Sequence, residues 1–327
     1  MKRVLFTLAA ILGLGFVLVA TSCGGGGSGS GDDDDVVAST AGFVLVPSGT
    51  VIGGNKFILS GETANNFKGA FISGRSVTIS QFYICDHEVT QEEYETYCTY
   101  TGSYSPSANS YGDNRDGVGN RYPVYYVSWY DALVYCNRRS IAEGLAPCYM
   151  ISGKTNPDEW GTVPTSGNAN WNAITCNFNA NGYRLPTEVE WEYAARGGSS
   201  GCYVTNPTDY AGTDDSVNLG AYAWYFDNTF AIGFGTPAYG SHPVKTKTKN
   251  ALNIYDMSGN VYEWCWDWYG TINEDTMSTG ASTGYSRILR GGCWMSGSDD
   301  CSVAYRFYHN PCTRSWEFGF RVVRSAE

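Results

Sequence analysis

The sequence predicts an α+β fold with little regular secondary structure. Glycine is abundant, with 40 residues among 327, and aromatic residues make up 15% of the chain while charged residues make up only 16%. Hydrophobic periodicity appears only in short patches, so most of the core must come from irregular segments and short strands. No second linker interrupts the roughly 290 residues after the N-terminal region, which favours one large domain.

Two stretches near the start of this domain have strand patterns. Residues 43–49 indicate a strand that runs into a turn, and residues 77–84 alternate between apolar and polar side chains as one continuous strand. The stretch from 143 to 181 shows no period and is expected to be loop.

Three helix starts carry the same capping signal. Thr90, Ser128 and Thr187 are each followed three positions later by an acidic residue, which is the spacing of a capping box. The first helix is expected to continue to about residue 99. The third is expected to end at Gly197–Gly198, because glycine easily adopts the left-handed conformation of a helix C-cap.

The N-terminal region is typical of a bacterial lipoprotein. A basic start, the apolar run Val4–Ala20 and the small residues before Cys23 predict a signal peptide over residues 1–22 and an acylated Cys23. Residues 23–38 are rich in glycine, serine and aspartate and predict a flexible tether before a single domain over 39–327. An uncleaved membrane anchor is the alternative, because the apolar run is close to the lower length limit for spanning a bilayer.

The charge of the chain restricts its partners. The formal net charge is -11 and becomes more negative if Lys2 and Arg3 leave with the signal peptide. Such a surface argues against nucleic acid as a partner and against electrostatic adhesion to anionic lipid. We expect a monomer exposed on the bacterial surface, held by its lipid to the outer membrane, with an unidentified protein or glycan as ligand.

The cysteines leave two interpretations open. Of 11 cysteines, ten remain once Cys23 is set aside, and their spacing is irregular. They lack the paired CxxC pattern of a structural zinc site, so we do not expect the cysteines to bind zinc. Some can form disulfides in an oxidising compartment, and isolated buried thiols are the competing interpretation.

Four stretches resemble, in order and spacing, the signatures of the formylglycine-generating-enzyme (sulfatase-modifying factor) domain. They are Tyr122–Val124 with Val127–Trp129, Tyr183–Glu188 with Glu190–Glu192, Asn253–Trp264, and Arg290–Gly292 with Gly319–Arg321. The resemblance covers the chain from about residue 40 to 327 and implies the irregular C-type lectin-like fold of that family. Fold does not settle function, so the site has to be argued separately.

The resemblance also locates a catalytic site that is incomplete. In the catalytic members, two cysteines lie four and nine positions after the second glycine of the Arg-Gly-Gly motif, where they bind copper(I) and handle the substrate thiol. Counted from Gly292, these positions hold Ser296 and Cys301, and a hydroxyl is a poor ligand for a soft ion. Cys293 is expected to point elsewhere, and Cys301 to be a core thiol or half of a disulfide, with Cys312 as a candidate partner. The chain is therefore expected not to be an enzyme.

The C-terminal segment, about 290–324, instead has the composition of a binding surface, with aromatic, acidic and hydroxyl side chains together. The layout resembles the variable proteins of diversity-generating retroelements, notably the treponemal variable lipoproteins, whose last segment is diversified on this fold. Cys301, Ala304, Arg306 and Pro311 would be framework, and a rim of ordinary loop residues is the alternative. The residues expected to line an exposed ligand-binding surface are Trp294, Ser296, Asp299, Asp300, Tyr305, Phe307, Tyr308, His309, Asn310 and Trp316.

The resemblance implies two further features. Asn260 and Glu263 fall where family members hold a structural calcium, and their amide and carboxylate oxygens suit that ion. A simple turn at Asn260 is the alternative, and no cofactor is required. Trp264, Trp266 and Trp268 lie in a stretch that the family uses as core.

Three functional hypotheses are left by the sequence: a ligand-binding surface protein, a formylglycine-generating oxidase acting on protein cysteine, and a structural or adhesin-like envelope protein.

Overall fold

The computed structural model describes residues 41–59, 65–101, 105, 117–199, 207–236 and 239–326, and these belong to one structural unit that spans residues 38–327. The predicted signal peptide, the predicted lipidation site Cys23 and the predicted tether lie outside the described residues. Within the described ranges, no helix combines the length and the apolar character needed to cross a membrane.

Regular elements are short, and this confirms an α+β fold with little regular secondary structure. The strands are β1 (Phe43–Val46), β2 (Gly49–Ile52), β3 (Ser76–Ile79), β4 (Phe82–Cys85), β5 (Tyr149–Met150), β6 (Thr175–Cys176), β7 (Tyr183–Arg184), β8 (Tyr262–Trp268), β9 (Arg287–Arg290), β10 (Phe307–His309), β11 (Phe318–Gly319) and β12 (Val323–Ser325). The α-helices are α1 (Gln91–Tyr97), α2 (Trp129–Ala142), α3 (Ala169–Asn172) and α4 (Glu188–Ala195).

The three predicted capping boxes are confirmed. In α1 the Thr90 side chain accepts from the Glu93 backbone N–H, and the Glu93 carboxylate accepts from the Thr90 N–H. Helices α2 and α4 begin with the same reciprocal pair. Helix α4 ends at Ala195, and Gly197 follows with φ 86°, as expected for a left-handed turn after the C-cap.

Two predictions for the first half of the chain are wrong. Residues 77–84 are not one strand, because the chain leaves one sheet after β3 and enters another at β4. Both pieces alternate, so the pattern alone does not show the break. The expected loop over 143–181 contains the paired strands β5 and β6 and the short helix α3. Elements of two to four residues are too short to show a period.

Two four-stranded sheets organise the domain. The first has the order β1-β4-β12-β7 and is antiparallel, so it joins the first and last strands of the domain around β4. The second has the order β10-β9-β8-β11, with β8 and β11 parallel and the other pairs antiparallel. Strand β10 therefore lies at an edge of the second sheet.

The tryptophans of β8 are core residues, as the resemblance implied. Trp264 and Trp268 are buried and Trp266 is half-buried. The Arg287 guanidinium stacks over the rings of Trp268 and Trp129, at 3.4 and 3.7 Å from their centroids. Such cation–π contacts compensate in part for burying the arginine.

The described cysteines are thiols. They are Cys85, Cys98, Cys136, Cys148, Cys176, Cys265, Cys293, Cys301 and Cys312. Cys301 is fully buried in a small apolar cluster that includes Tyr210 and Leu219. A disulfide between Cys301 and Cys312 is therefore not formed, and Cys301 is a core thiol.

Candidate ligand-binding surface

Strand β10 presents three of the predicted binding residues, Phe307, Tyr308 and His309, at the edge of the second sheet. It pairs antiparallel with β9, with Tyr308 opposite Ile288. Because side chains alternate along a strand, Phe307 turns towards the sheet, where its ring packs on Tyr262 at 4.9 Å. Tyr308 turns outward and is 45% exposed.

Five aromatic rings, which we call the aromatic row, follow one another around this edge, with Phe307 and Tyr308 on opposite faces of the sheet. The Tyr308 ring stacks on Tyr269 with centroids 3.8 Å apart, and Tyr305 lies 4.9 Å from Phe67. Contacts of 6.3 and 6.4 Å between centroids link Tyr308 to Phe307 and Phe307 to Tyr305. The row thus offers flat apolar faces held by neighbouring rings rather than by single flexible side chains.

Asp300 lies beside the Tyr305 end of the row, and Asp299 precedes it in the chain. Asp299 is exposed and Asp300 is half-buried. Burial raises the pKa of Asp300; a hydrogen bond with Tyr305 opposes this shift and the charge of Asp299 adds to it. Burial and the nearby Asp300 raise the pKa of Tyr305 to about 12, so the phenol keeps its proton at neutral pH. This end of the row therefore combines an aromatic face with acidic groups.

The remaining outer residues lie at the end of β10 and beyond it. His309 and Asn310 are exposed, and the Asn310 Oδ1 accepts from the backbone N–H and the thiol of Cys312, which shapes the turn that follows. Trp316 is 36% exposed, and its Nε1 donates to Glu317 at 3.0 Å. The structure therefore places all three on the outside of the C-terminal segment.

Trp294 and Ser296 do not lie on this surface, which corrects the expectation for both. Trp294 is 1% exposed and packs against Tyr239, with centroids 4.9 Å apart. Ser296 is 6% exposed, and its backbone carbonyl accepts from the Phe226 N–H. Phe226, Phe230 and Tyr239 cover this part of the chain, so neither residue can line an exposed surface without movement of that covering segment.

Two members of the row, Phe67 and Tyr269, have no signal in the sequence that would predict their place. Phe67 ends a short 3-10 helix (Asn65–Phe67) far upstream, and Tyr269 follows the end of β8. A backbone contact brings this helix to the C-terminal segment, since Arg306 N–H donates to the Asn66 carbonyl at 2.7 Å. Only knowledge of these long-range pairings would have identified Phe67 and Tyr269.

A buried ion network supports the row from beneath. Arg290 donates to the Glu192 carboxylate at 2.6 Å and to the backbone carbonyls of Val303 and Tyr305. Arg306 donates to both oxygens of Glu188, at 2.6 and 2.9 Å. A buried arginine with several acceptors holds the backbone in one position, because each lost contact would leave a buried donor unpaired.

The residues at the family's copper positions do not fit a two-thiolate site. The Ser296 hydroxyl donates to the Tyr262 oxygen at 3.1 Å and accepts from the Cys293 N–H at 3.0 Å. Cys293 does not point elsewhere, contrary to expectation, because its Sγ lies 3.4 Å from the Ser296 Oγ. Burial raises the pKa of both Cys293 and Cys301, so both remain neutral thiols closed off from solvent.

Asn260 and Glu263 do not fit a calcium site either. Arg321 donates to the two Glu263 oxygens at 2.6 Å each, and Trp191 Nε1 donates to one of them at 2.7 Å. The Asn260 Oδ1 accepts from the His242 N–H at 2.9 Å. Because these oxygens face N–H donors, the expected calcium ligands instead belong to the hydrogen-bonded core.

The short helices, the two four-stranded sheets and the C-terminal edge strand define a formylglycine-generating-enzyme type of C-type lectin-like fold. The chain belongs to the family of sulfatase-modifying factor enzyme 1-like domains, which matches residues 32–326. This confirms the family inferred from the four sequence stretches.

The relatives include proteins of different kinds. The chain is 35% identical to the chaperone protein LppX of Paenibacillus barcinonensis over 291 residues, which cover 84% of this chain and 91% of that protein. It is 28% identical to the formylglycine-generating enzyme of Thermomonospora curvata, covering 86% and 93% of the two chains. The solved structure of Treponema denticola variable protein 1 has a TM-score of 0.68 and 29% identity, and the match covers 87% of this chain and 95% of that one.

Proposed function

We propose that the chain is an exported, lipid-anchored binding protein that recognises its ligand with the C-terminal segment and catalyses no reaction. The observation that carries this proposal is the aromatic row on an edge strand, supported from beneath by buried arginine–glutamate pairs. Rigid aromatic faces bind partners at low entropic cost, because little side-chain freedom is lost on binding.

The chemistry of the surface suits a protein or glycan ligand. Aromatic faces stack on sugar rings and on apolar or cationic side chains, and Asp299 and Asp300 add acceptors and negative charge beside them. A relative named as a chaperone favours the polypeptide among these ligands. The formal net charge of -11 further favours a neutral or cationic partner.

Diversification of this segment by a retroelement is part of the proposal. The predicted framework residues Cys301, Ala304, Arg306 and Pro311 are buried beneath the outer face. Substitutions on the outer face would therefore leave the packing below intact. A near-repeat of the last coding segment and a reverse-transcriptase gene beside the locus would support diversification, and their absence would contradict it.

The binding proposal is tested with a matched pair of variants. The full chain is screened against a glycan array and a panel of unfolded and cationic polypeptides, and the affinity of each hit is then measured for Tyr308→Ala and Leu45→Ala. Leu45 is exposed to the same degree, 46% against 45%, but lies on β1 in the other four-stranded sheet. We expect Tyr308→Ala to weaken binding by about tenfold or more, and Leu45→Ala to have no effect.

Equal affinities of the two variants would contradict a site on the aromatic row. If no glycan or polypeptide binds at all, a structural or adhesin-like envelope role replaces the proposal. Lipid anchoring is tested separately with Cys23→Ser. This variant should no longer incorporate labelled fatty acid in the producing cells and should leave the membrane fraction.

A formylglycine-generating oxidase is the second candidate, and one observation favours it. Cys293 lies beside Ser296, with its Sγ 3.4 Å from the Ser296 Oγ. This chain has a thiol one position after Gly292, whereas the catalytic members have one four positions after the corresponding glycine. Stoichiometric copper(I) uptake that is lost in Cys301→Ser, together with loss of a substrate thiol, would establish this candidate over the binding protein.

A further inference from the structure

Cys85, Asp86 and His87 follow one another where β4 ends, and they bring three kinds of metal-binding group together. Within the part of the chain that the structure describes, one ligand atom from each of these residues lies within 4.8 Å of the other two. The cluster shares no residue with the aromatic row or with the Ser296 region. Thiolate, imidazole and carboxylate are the protein ligands that zinc takes.

The distances in the cluster fit a tetrahedral ion. A zinc ion bound to sulfur at about 2.3 Å and to nitrogen at about 2.0 Å separates the two ligand atoms by about 3.5 Å. The Cys85 Sγ and the His87 Nδ1 are 3.6 Å apart. The Asp86 Oδ1 lies 2.5 Å from the same nitrogen, so this carboxylate would have to move away by roughly 0.8 Å to share an ion.

Two further side chains already occupy the positions of supporting groups. The other ring nitrogen, His87 Nε2, lies 3.4 Å from the Glu93 Oε2. A carboxylate behind the second nitrogen is the usual way in which a metal-bound histidine is oriented. Lys245 Nζ lies 2.7 Å from the Asp86 Oδ2, which leaves Oδ1 to face the histidine.

The backbone under the cluster is held by hydrogen bonds on several sides. The Cys85 N–H donates to Val322, the Asp86 N–H donates to Gly42, and the Asp86 carbonyl accepts from Tyr255, all at 2.8 to 2.9 Å. The Cys85 carbonyl also accepts from the Arg321 guanidinium at 3.2 Å. The backbone that carries the three ligand groups is therefore held in place without an ion, which lowers the entropic cost of binding one.

The geometry points to a zinc site formed by Cys85 Sγ, Asp86 Oδ1 and His87 Nδ1, with the fourth position taken by water or an external donor. One thiolate and the carboxylates of Asp86 and Glu93 supply three negative charges, and the ion with Lys245 supplies three positive ones. Binding releases the thiol proton and the proton on the coordinating nitrogen. The sequence predicted against zinc because CxxC pairs are missing, whereas this set is consecutive.

Cobalt(II) tests the site, because it takes zinc positions and its bond to thiolate gives a charge-transfer band in the near ultraviolet. The full chain is reduced, stripped of metal and titrated with cobalt(II), followed by zinc. We expect one equivalent of cobalt to produce the band and one equivalent of zinc to remove it. Cys85→Ser should lose the band, while Cys312→Ser, which removes a half-buried thiol elsewhere, should keep it.

Two more variants keep the test decisive if Cys85→Ser does not fold. Glu93→Gln retains the capping box, because glutamine serves at that position as well, and should weaken cobalt binding by about 10- to 100-fold through the lost carboxylate. His87→Gln should abolish the stoichiometric complex. The proposal is overturned if the chain binds no stoichiometric cobalt, if the band survives in Cys85→Ser, or if His87→Gln binds cobalt as tightly as the unmodified chain.

Discussion

Glu192 lies between two arginines beneath the aromatic row, and its replacement by glutamine tests whether buried charge holds the binding surface. One carboxylate oxygen accepts from Arg290 at 2.6 Å and from the Ala70 N–H at 2.7 Å. The other accepts from Arg196 at 2.9 Å. Glutamine keeps the size of the side chain but turns one acceptor into a donor that faces these N–H groups.

The expected loss of stability is large because no water can replace the missing acceptor. The side chains of Glu192 and Arg290 are both 0% exposed, and that of Arg196 is 1% exposed. Removal of one partner from a buried ion pair costs about 3 to 5 kcal/mol. For a domain of this size, that cost lowers the melting temperature by roughly 6 to 20 °C. Arg290 also holds the carbonyls of Val303 and Tyr305, so ligand binding should fall as well.

The measurement is urea unfolding at neutral pH, with Glu159→Gln as the matched control. Glu159 pairs with Lys154 at 2.9 Å, but both side chains are about half exposed. Because water and salt screen such a pair, the control should lose less than about 1 kcal/mol. If Glu192→Gln also unfolds within about 1 kcal/mol of the unmodified chain, the buried network does not support the surface and the reasoning is wrong.

Three further predictions concern single side chains. Phe307→Ala should lose about 1 to 3 kcal/mol of unfolding free energy because the ring packs on Tyr262, whereas Tyr308→Ala should lose less than about 1 kcal/mol; equal losses in urea would contradict the placement of the two rings. Burial raises the pKa of Asp267 to about 8, above the value of about 3.9 in an unfolded chain, so its contribution to stability is present below about pH 4 and is lost as the pH rises through 8. Asp267→Asn should therefore gain stability relative to the unmodified chain between about pH 5 and about pH 9, and a constant difference would count against this shift. Added calcium should leave the melting temperature unchanged, since the Glu263 oxygens already accept from Arg321 and Trp191, and a clear rise with calcium would reinstate the site expected from the sequence.

Local signals in the sequence predicted local structure well. The capping boxes at Thr90, Ser128 and Thr187 form within four residues each, so their spacing is sufficient to place the helix starts. The prediction of one strand over 77–84 was wrong because the pairing of its two halves is not local. Its two halves pair with different sheets, and a pairing partner far along the chain leaves no mark on a local pattern.

The candidate surface was predicted only in part, because some of its contacts also involve distant parts of the chain. The amino-acid composition indicated the C-terminal segment as the binding surface. The predicted residues include Tyr305, Phe307 and Tyr308, whose rings lie next to one another. It also included Trp294 and Ser296, because composition does not distinguish an exposed aromatic or hydroxyl side chain from one that another segment covers. The Thr229 hydroxyl donates to the Trp294 carbonyl, and this contact spans 65 residues. Such a contact has no signature within the segment itself.

The way the C-terminal segment is held explains how its outer side chains could change without unfolding the domain. Arg290 binds the carbonyls of residues 303 and 305, the loop at 66–69 pairs with the backbone at 304 and 306, and β10 pairs with β9 through its backbone. None of these contacts uses the side chains of Tyr305 or Tyr308. The stability of the surface therefore depends on buried residues and on the backbone, while the recognition that we propose would depend on the outer side chains. This separation is what a binding segment with variable residues requires.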